Sequence, residues 1–160
     1  MTQAEFSASE LRKIFQELFP HRKLVLSQFT FYNQVGVAKP SGETFRRGRR
    51  CYRLVDLLPI ATVLALKEKG IPLKNIEVLP RLLQESAERI FSFGTDCLIS
   101  GYGEQVHLQM PDEDGEDLCL EAFLAEETQT MLYWSFDVGK LAAELQDVVA
   151  RYSERYLRAA

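Results

Sequence analysis

Residues 44–57 read TFRRGRRCYRLVDL, with four arginines around one glycine, then a tyrosine, a fifth arginine, an aspartate and apolar side chains. Thr44, Phe45, Cys51 and Tyr52 favour extended backbone, whereas Pro40, Gly42 and Gly48 break it. Residues 39–53 are therefore expected to form a short two-stranded wing that carries Arg46, Arg47, Arg49 and Arg50 at its tip. The LVDL that closes the stretch opens a helix, LVDLLPIATVLALKEKG (54–70), in which Pro59 fits only the first turn and Gly70 is the stop.

That much positive charge is unexpected in a chain of formal net charge -4. The total hides a contrast, because residues 1–92 hold 15 Lys and Arg against 9 Asp and Glu, and residues 93–160 hold 4 against 14. A basic half that faces a polyanion, joined to an acidic half that repels one, is the physical reading of that asymmetry. With 160 residues, 46% of them hydrophobic, the chain can bury one moderate core or two small ones.

Outward from the arginines the pattern is helical on both sides. Ser7 and Glu10 stand in capping-box spacing, and Leu11, Ile14, Phe15 and Leu18 then recur as one face, so a first helix should end near Pro20. KLVLSQFTFYNQVGV (23–37) reads as a second helix ending at Gly36. IPLKNIEVLPRLLQESAERIF (71–91) should form two helical pieces or one kinked helix around Pro80. Beyond the linker SFGTD (92–96) the period changes. EQVHLQM, DLCLEAFL and TQTMLYWSF alternate apolar and polar residues between turn clusters, as the strands of an antiparallel meander would. A terminal helix capped by Asp137 follows, with Val138, Leu141, Leu145, Val148 and Tyr152 in strict 3,4 spacing. That seam fits a partner helix in a homodimer and fits the protein's own sheet equally well.

The expected fold class is α+β: a mostly helical unit with a small β wing over residues 7–91, then an acidic β-meander plus C-terminal helix over 96–160 for dimerisation or sensing. The order of FYNQVGVAKP (31–40), GRRCYRLVDL (48–57) and LKEKGIPLKNIEVLPRLL (66–83) resembles the winged helix-turn-helix domain of MerR-family transcription regulators. Tyr32, Gly36 and Pro40 match the end of that family's recognition helix, and Gly48, Arg50, Tyr52, Asp56 and Leu57 match its wing motif. Gly70, Leu73 and Ile76 match the helix pair that follows. The resemblance covers about residues 27–83 and implies a DNA-binding transcriptional regulator, bacterial in type. Thr30 and Phe31 stand where the family usually has an arginine and a tyrosine, which weakens the expected grip on DNA. A protein-interaction adaptor that keeps the fold without DNA binding is the alternative.

The chemistry of the residues supports the same partner. Duplex DNA carries one negative charge per about 1.7 Å of axis, and the arginine fork binds phosphate oxygens bidentately, so a wing with Arg46, Arg47, Arg49 and Arg50 can neutralise several phosphates. Tyr52 either adds a hydroxyl contact or packs its ring beneath the wing. Arg22, Lys23 and Lys39 would extend the basic surface. A recognition helix carrying Ser27, Gln28, Thr30, Tyr32, Asn33 and Gln34 would read base edges in the major groove through amides and hydroxyls.

Other functions find little footing. Gly101 and Gly103 give only G-x-G, which falls short of a nucleotide site. Cys97, His107 and Cys119 lack metal-ligand spacing, so no metal and no cofactor is expected, and the three cysteines are expected to be reduced and buried. No Ser, His, Asp arrangement or carboxylate pair stands out, so the chain is not read as an enzyme. MTQAEFSASELRK has no apolar signal region, and no stretch reaches the roughly 18 apolar residues of a membrane span. The expected location is the cytoplasm, the expected partner is double-stranded DNA, and a small-molecule or protein effector is a further expectation for the C-terminal part. Tyr102, Phe123, Tyr133 and Trp134 offer it an aromatic pocket.

Overall fold

Ser7 starts the first helix as its sequence requires, with its hydroxyl accepting from the Glu10 N–H while the Glu10 carboxylate accepts from the Ser7 N–H. The computed structural model describes residues 4–34, 36–37, 40–41, 51–72, 78–94, 96–111, 117–126 and 132–157, and the statements below concern these. The fold is mixed α+β. In chain order come β1 (Glu5–Phe6), α1 (Ala8–Leu18), α2 (Leu26–Gln34), β2 (Tyr52–Arg53), α3 (Leu54–Glu68) and α4 (Leu79–Phe93). Then follow β3 (Leu98–Tyr102), β4 (Gln105–Gln109), α5 (Leu118–Ala125), β5 (Tyr133–Asp137) and α6 (Val138–Leu157).

The centre is α3, buried from Asp56 through Leu66. A helix apolar on all sides must be enclosed on all sides, and α4 and α6 pack against it while α1 closes on α6. Pro59 is the sixth residue of α3 rather than part of its first turn. The helix forgoes the hydrogen bond that residue 59 would have donated to the Val55 carbonyl, and burial of Leu57, Leu58, Ile60 and Leu64 offsets that loss.

The expected wing falls mostly on residues 42–50, outside the described residues. Of its second strand, Tyr52–Arg53 is present as β2, paired antiparallel with the N-terminal β1: Glu5 lies opposite Arg53 and Phe6 opposite Tyr52. The Phe6 ring meets Tyr152 of α6 edge to face, centroids 6.3 Å apart.

The C-terminal strands do not form a meander. DLCLEAFL is helix α5, because the Asp117 carboxylate accepts from the N–H groups of Cys119 and Leu120 and so caps a helical turn. A short apolar run fits strand or helix by period alone, and here the cap decides. β3 and β4 form a hairpin across Gly103–Glu104, with Gly103 at φ 57 as the first turn position of a two-residue loop. β5 then returns to the other edge of β3, giving the order β4-β3-β5. One face of this sheet carries Ile99 and Trp134 into the core, and α5 covers the other. The Trp134 ring lies directly over Gly101, where a Cβ would come within 2.1 Å of it.

The terminal helix packs within the chain. Val138, Leu141, Leu145, Val148 and Tyr152 are all buried within the chain, so the seam of α6 is core and not an open dimerisation surface. One hydrophobic cluster runs from Phe6 through α1, α3 and α4 to Tyr152, across the expected boundary between 7–91 and 96–160. Gly139 locks the junction: its N–H donates to the Cys97 carbonyl at 3.1 Å, and an added Cβ would meet the Gly94 carbonyl at 2.2 Å. Arg155 of α6 reaches Glu17 of α1 at 2.6 Å.

A fragment of residues 1–92 therefore lacks its closing helix and should show no cooperative thermal transition by circular dichroism; a sharp transition would refute the shared core. Leu145→Ala in the full chain should lower stability by about 3 kcal/mol in urea melts. Gly101→Ala should cost about 1–3 kcal/mol and shift the tryptophan emission, because Trp134 must move.

Candidate nucleic-acid interface

The arginine-rich segment is bracketed by one carboxylate. Asp56, third residue of α3 and 2% exposed, accepts through Oδ2 from the Arg53 N–H at 2.8 Å, the Ser41 N–H at 2.9 Å and the Ser41 hydroxyl at 2.7 Å. The first bond caps α3 in capping-box fashion and the other two bring Ser41 to the same point. Both ends of the stretch between Ser41 and Arg53 thus meet at the positive end of the α3 dipole, where a carboxylate is stabilised. Arg53 also faces Glu5 across the β1–β2 pair, Nε to Oε1 3.8 Å.

Beside this anchor stands α2. Its first turn is closed by Gln28, whose Oε1 accepts from the Val25 N–H at 3.1 Å. Phe29 stacks on Phe15 of α1, centroids 5.7 Å apart, which fixes the helix on the core. Gln16 holds the connection into α2 by donating to the carbonyls of Phe19 and Arg22 and accepting from the Leu24 N–H. Arg22 donates to the Leu64 carbonyl at 2.8 Å, and the Lys67 ammonium sits 5.6 Å from the centre of the Tyr32 ring. Burial pushes the Tyr32 hydroxyl pKa above its ordinary value, with the charge of Arg22 opposing the shift. Arg22 and Lys67 therefore converge on the inner edge of α2. Residues 19–53 as a whole hold eight Lys or Arg and one acidic residue.

Against this geometry the expected contact residues divide. Arg46, Arg47, Arg49 and Arg50 lie outside the described residues, as does Lys39, and so do the side chains of Thr30 and Asn33. Gln28 is half-buried and its carbonyl oxygen is engaged as a cap. Tyr32 on α2 and Tyr52 in β2 are core residues, 2% and 3% exposed, and for Tyr52 this fits ring packing, one of the two roles expected of it. Phe31 is 46% exposed on α2. Asp56, Gln16 and Lys67 are the residues that sequence reasoning left without a role. Asp56 stood in the matched wing motif, but its reach to Ser41, fifteen residues away, has no local signal.

A second polar cluster sits under α5. Asp117 accepts from Tyr133 Oη at 2.6 Å and Ser100 Oγ at 2.9 Å besides capping the helix. Its burial alone would raise the pKa, but the bonds from Tyr133, the Leu120 N–H, Ser100 and the Cys119 N–H outweigh that and hold it below 3.8. Burial, then the neighbouring Asp117 charge, pushes the Cys119 thiol up, which keeps it protonated and unreactive. Tyr102, Phe123 and Tyr133 do converge, whereas Trp134 of the expected aromatic pocket points to the opposite face. Among the described residues no group of three His, Cys, Asp or Glu could hold a metal ion, and no helix is long and apolar enough to cross a membrane. The chain matches no protein-family model and no curated protein.

Asp56→Ala leaves the two N–H donors and the Ser41 hydroxyl unpaired and should cost about 3 kcal/mol in urea melts, while Asp56→Asn, which keeps one acceptor, should cost about 1 kcal/mol. The depressed pKa of Asp117 adds stability that is present above its ordinary value of 3.8 and lost as pH falls through its lower folded value. Stability measured between about pH 6 and about pH 3 should accordingly fall less in a Ser100→Ala, Tyr133→Phe double variant than in wild type.

Proposed function

We propose that the chain is a DNA-binding transcriptional regulator of the MerR-like class. The arginines 46, 47, 49 and 50 contact phosphates, and α2 faces the major groove, with Gln28, Thr30 and Asn33 as the candidate base contacts. The observation that carries this reading is the double anchorage at Asp56, which holds both ends of the arginine-rich segment at the head of α3. A charged segment tethered at both ends loses less conformational freedom on meeting a phosphate backbone than a tail tethered at one. The basic balance of residues 19–53 supports the same partner, since phosphate contacts dominate affinity for duplex DNA. A two-fold assembly on a palindromic site would use a surface other than the apolar seam of α6. The C-terminal sheet with α5 is then the place for an effector.

The second reading is an interaction adaptor without DNA binding, and it is favoured by the exposure of Val25, Leu26 and Phe31 on and beside α2. Fluorescence polarisation with a generic duplex separates the two. Four phosphate contacts per chain should weaken binding by about 100-fold between about 50 and 200 mM salt, and Arg50→Ala should flatten the log–log slope by about 0.9 per chain. Asn33→Ala should change base preference with little effect on slope. Absence of binding by wild type at low salt would leave the adaptor.

A further inference from the structure

A recess in the helical half is lined almost wholly by apolar side chains. Buried Phe6 of β1 and Val149 of α6 line it, together with half-buried Leu54 and Val55 from the first turn of α3, half-buried Phe91 of α4, and Ala4. Its volume is about 370 Å³, which lies in the range of small-molecule sites, and four separate elements build it. Packing fixes its shape, since Phe6, Leu54, Val55, Phe91 and Val149 all belong to or pack against the core. The larger groove between the ends of α1 and α3 and strand β5 is different in kind. It carries Glu68, Lys69, Asp137, Lys140 and Glu144, charges of both signs that suit water.

One charge marks the apolar recess. Glu88 is the single charged residue of its described lining, and it stands three residues before Phe91, so both lie on one face of α4. Glu88 is exposed and pairs with no cation among the described residues, whereas Arg81, on the same helix, is engaged by Glu85. An apolar surface beside one free carboxylate selects a molecule with an apolar body and a single positive end.

We propose that this recess binds a small organic amine, an aromatic or branched alkyl group of about ten carbon atoms ending in one ammonium group. The apolar part lies against Phe6, Val55 and Phe91, and the ammonium meets the Glu88 carboxylate. Burial of the apolar part supplies most of the affinity, while the carboxylate selects the sign of the charge, because a solvated ion pair contributes little. The site stands whether or not the chain binds DNA. It adjoins the Asp56 clasp, since Leu54 and Val55 join Arg53 to Asp56, and a bound molecule bears on that first turn of α3.

The probes are phenylbutylamine, phenylbutanol and phenylbutyrate, each titrated into the isotope-labelled full chain and followed by amide shifts. The amine should move the amides of Phe6, Leu54, Val55 and Phe91 with a dissociation constant of about 0.1–1 mM, as suits a ligand of that size. Phenylbutanol should bind about threefold more weakly, and phenylbutyrate more weakly still. Glu88→Gln, at an exposed position, should leave the urea melt unchanged and bring amine and alcohol to equal affinity. Val55→Phe, which fills the recess, should abolish the shifts, and Ala4→Phe, ahead of β1, does the same if Val55→Phe lowers stability. Absence of shifts in wild type at millimolar amine would overturn the proposal, as would shifts that survive both filling variants. Equal affinity of wild type for amine and alcohol, or a preference for phenylbutyrate, would overturn the assignment of the ligand to an amine.

Discussion

The Asp56 carboxylate is the point on which the basic half of this protein turns. One oxygen collects three donors from residues 41 and 53, so a long and highly charged connection begins and ends at one place. The arrangement is stable because the same oxygen caps α3, the most deeply enclosed element of the chain. A helix start is a fixed positive end, and a buried acceptor there satisfies donors that would otherwise be lost. The Arg53 to Glu5 contact and the β1–β2 pairing tie the segment to the N-terminus as well. Tyr52 of β2 is itself buried.

Around that anchor the chain separates charge while sharing a core. α6 closes the helical half through Leu141, Leu145 and Val148, and its first turn is locked to the backbone of Gly94 and Cys97. The sheet and α5 are thereby fixed to the helices that carry the basic segment. Polarity is an outcome of sequence distribution, whereas rigidity is an outcome of packing. Together they put the basic and the acidic parts of the sequence on elements that share one core.

Much of this was legible from residue patterns. The capping box at Ser7 and Glu10, the Gly70 stop and the 3,4 spacing of α6 each state a local rule that packing then obeyed. The seam of α6 announced a buried face but not what would bury it, because a periodic stripe is the same against one's own helices or another's. α5 was misread, since an eight-residue apolar run has no period of its own and only the Asp117 cap distinguishes helix from strand. β3 escaped notice because both of its faces are covered: Ile99, Ser100, Gly101 and Tyr102 are all buried, so no alternation remains. In the candidate interface the charge was plain, but the clamp was not. Asp56 meets Ser41 only through the fold, and Tyr32 reads as a surface aromatic until the ring of Phe29 is seen beside it at 6.4 Å.

The most direct measurement is an amide shift map of the full chain titrated with a short DNA duplex. The amides of Ser41 and Arg53, which donate to Asp56, should move together with those of residues 44–50 and α2, while residues 96–137 stay still. Shifts confined to the sheet and α5, or no shifts at low salt, would contradict a DNA interface organised at Asp56.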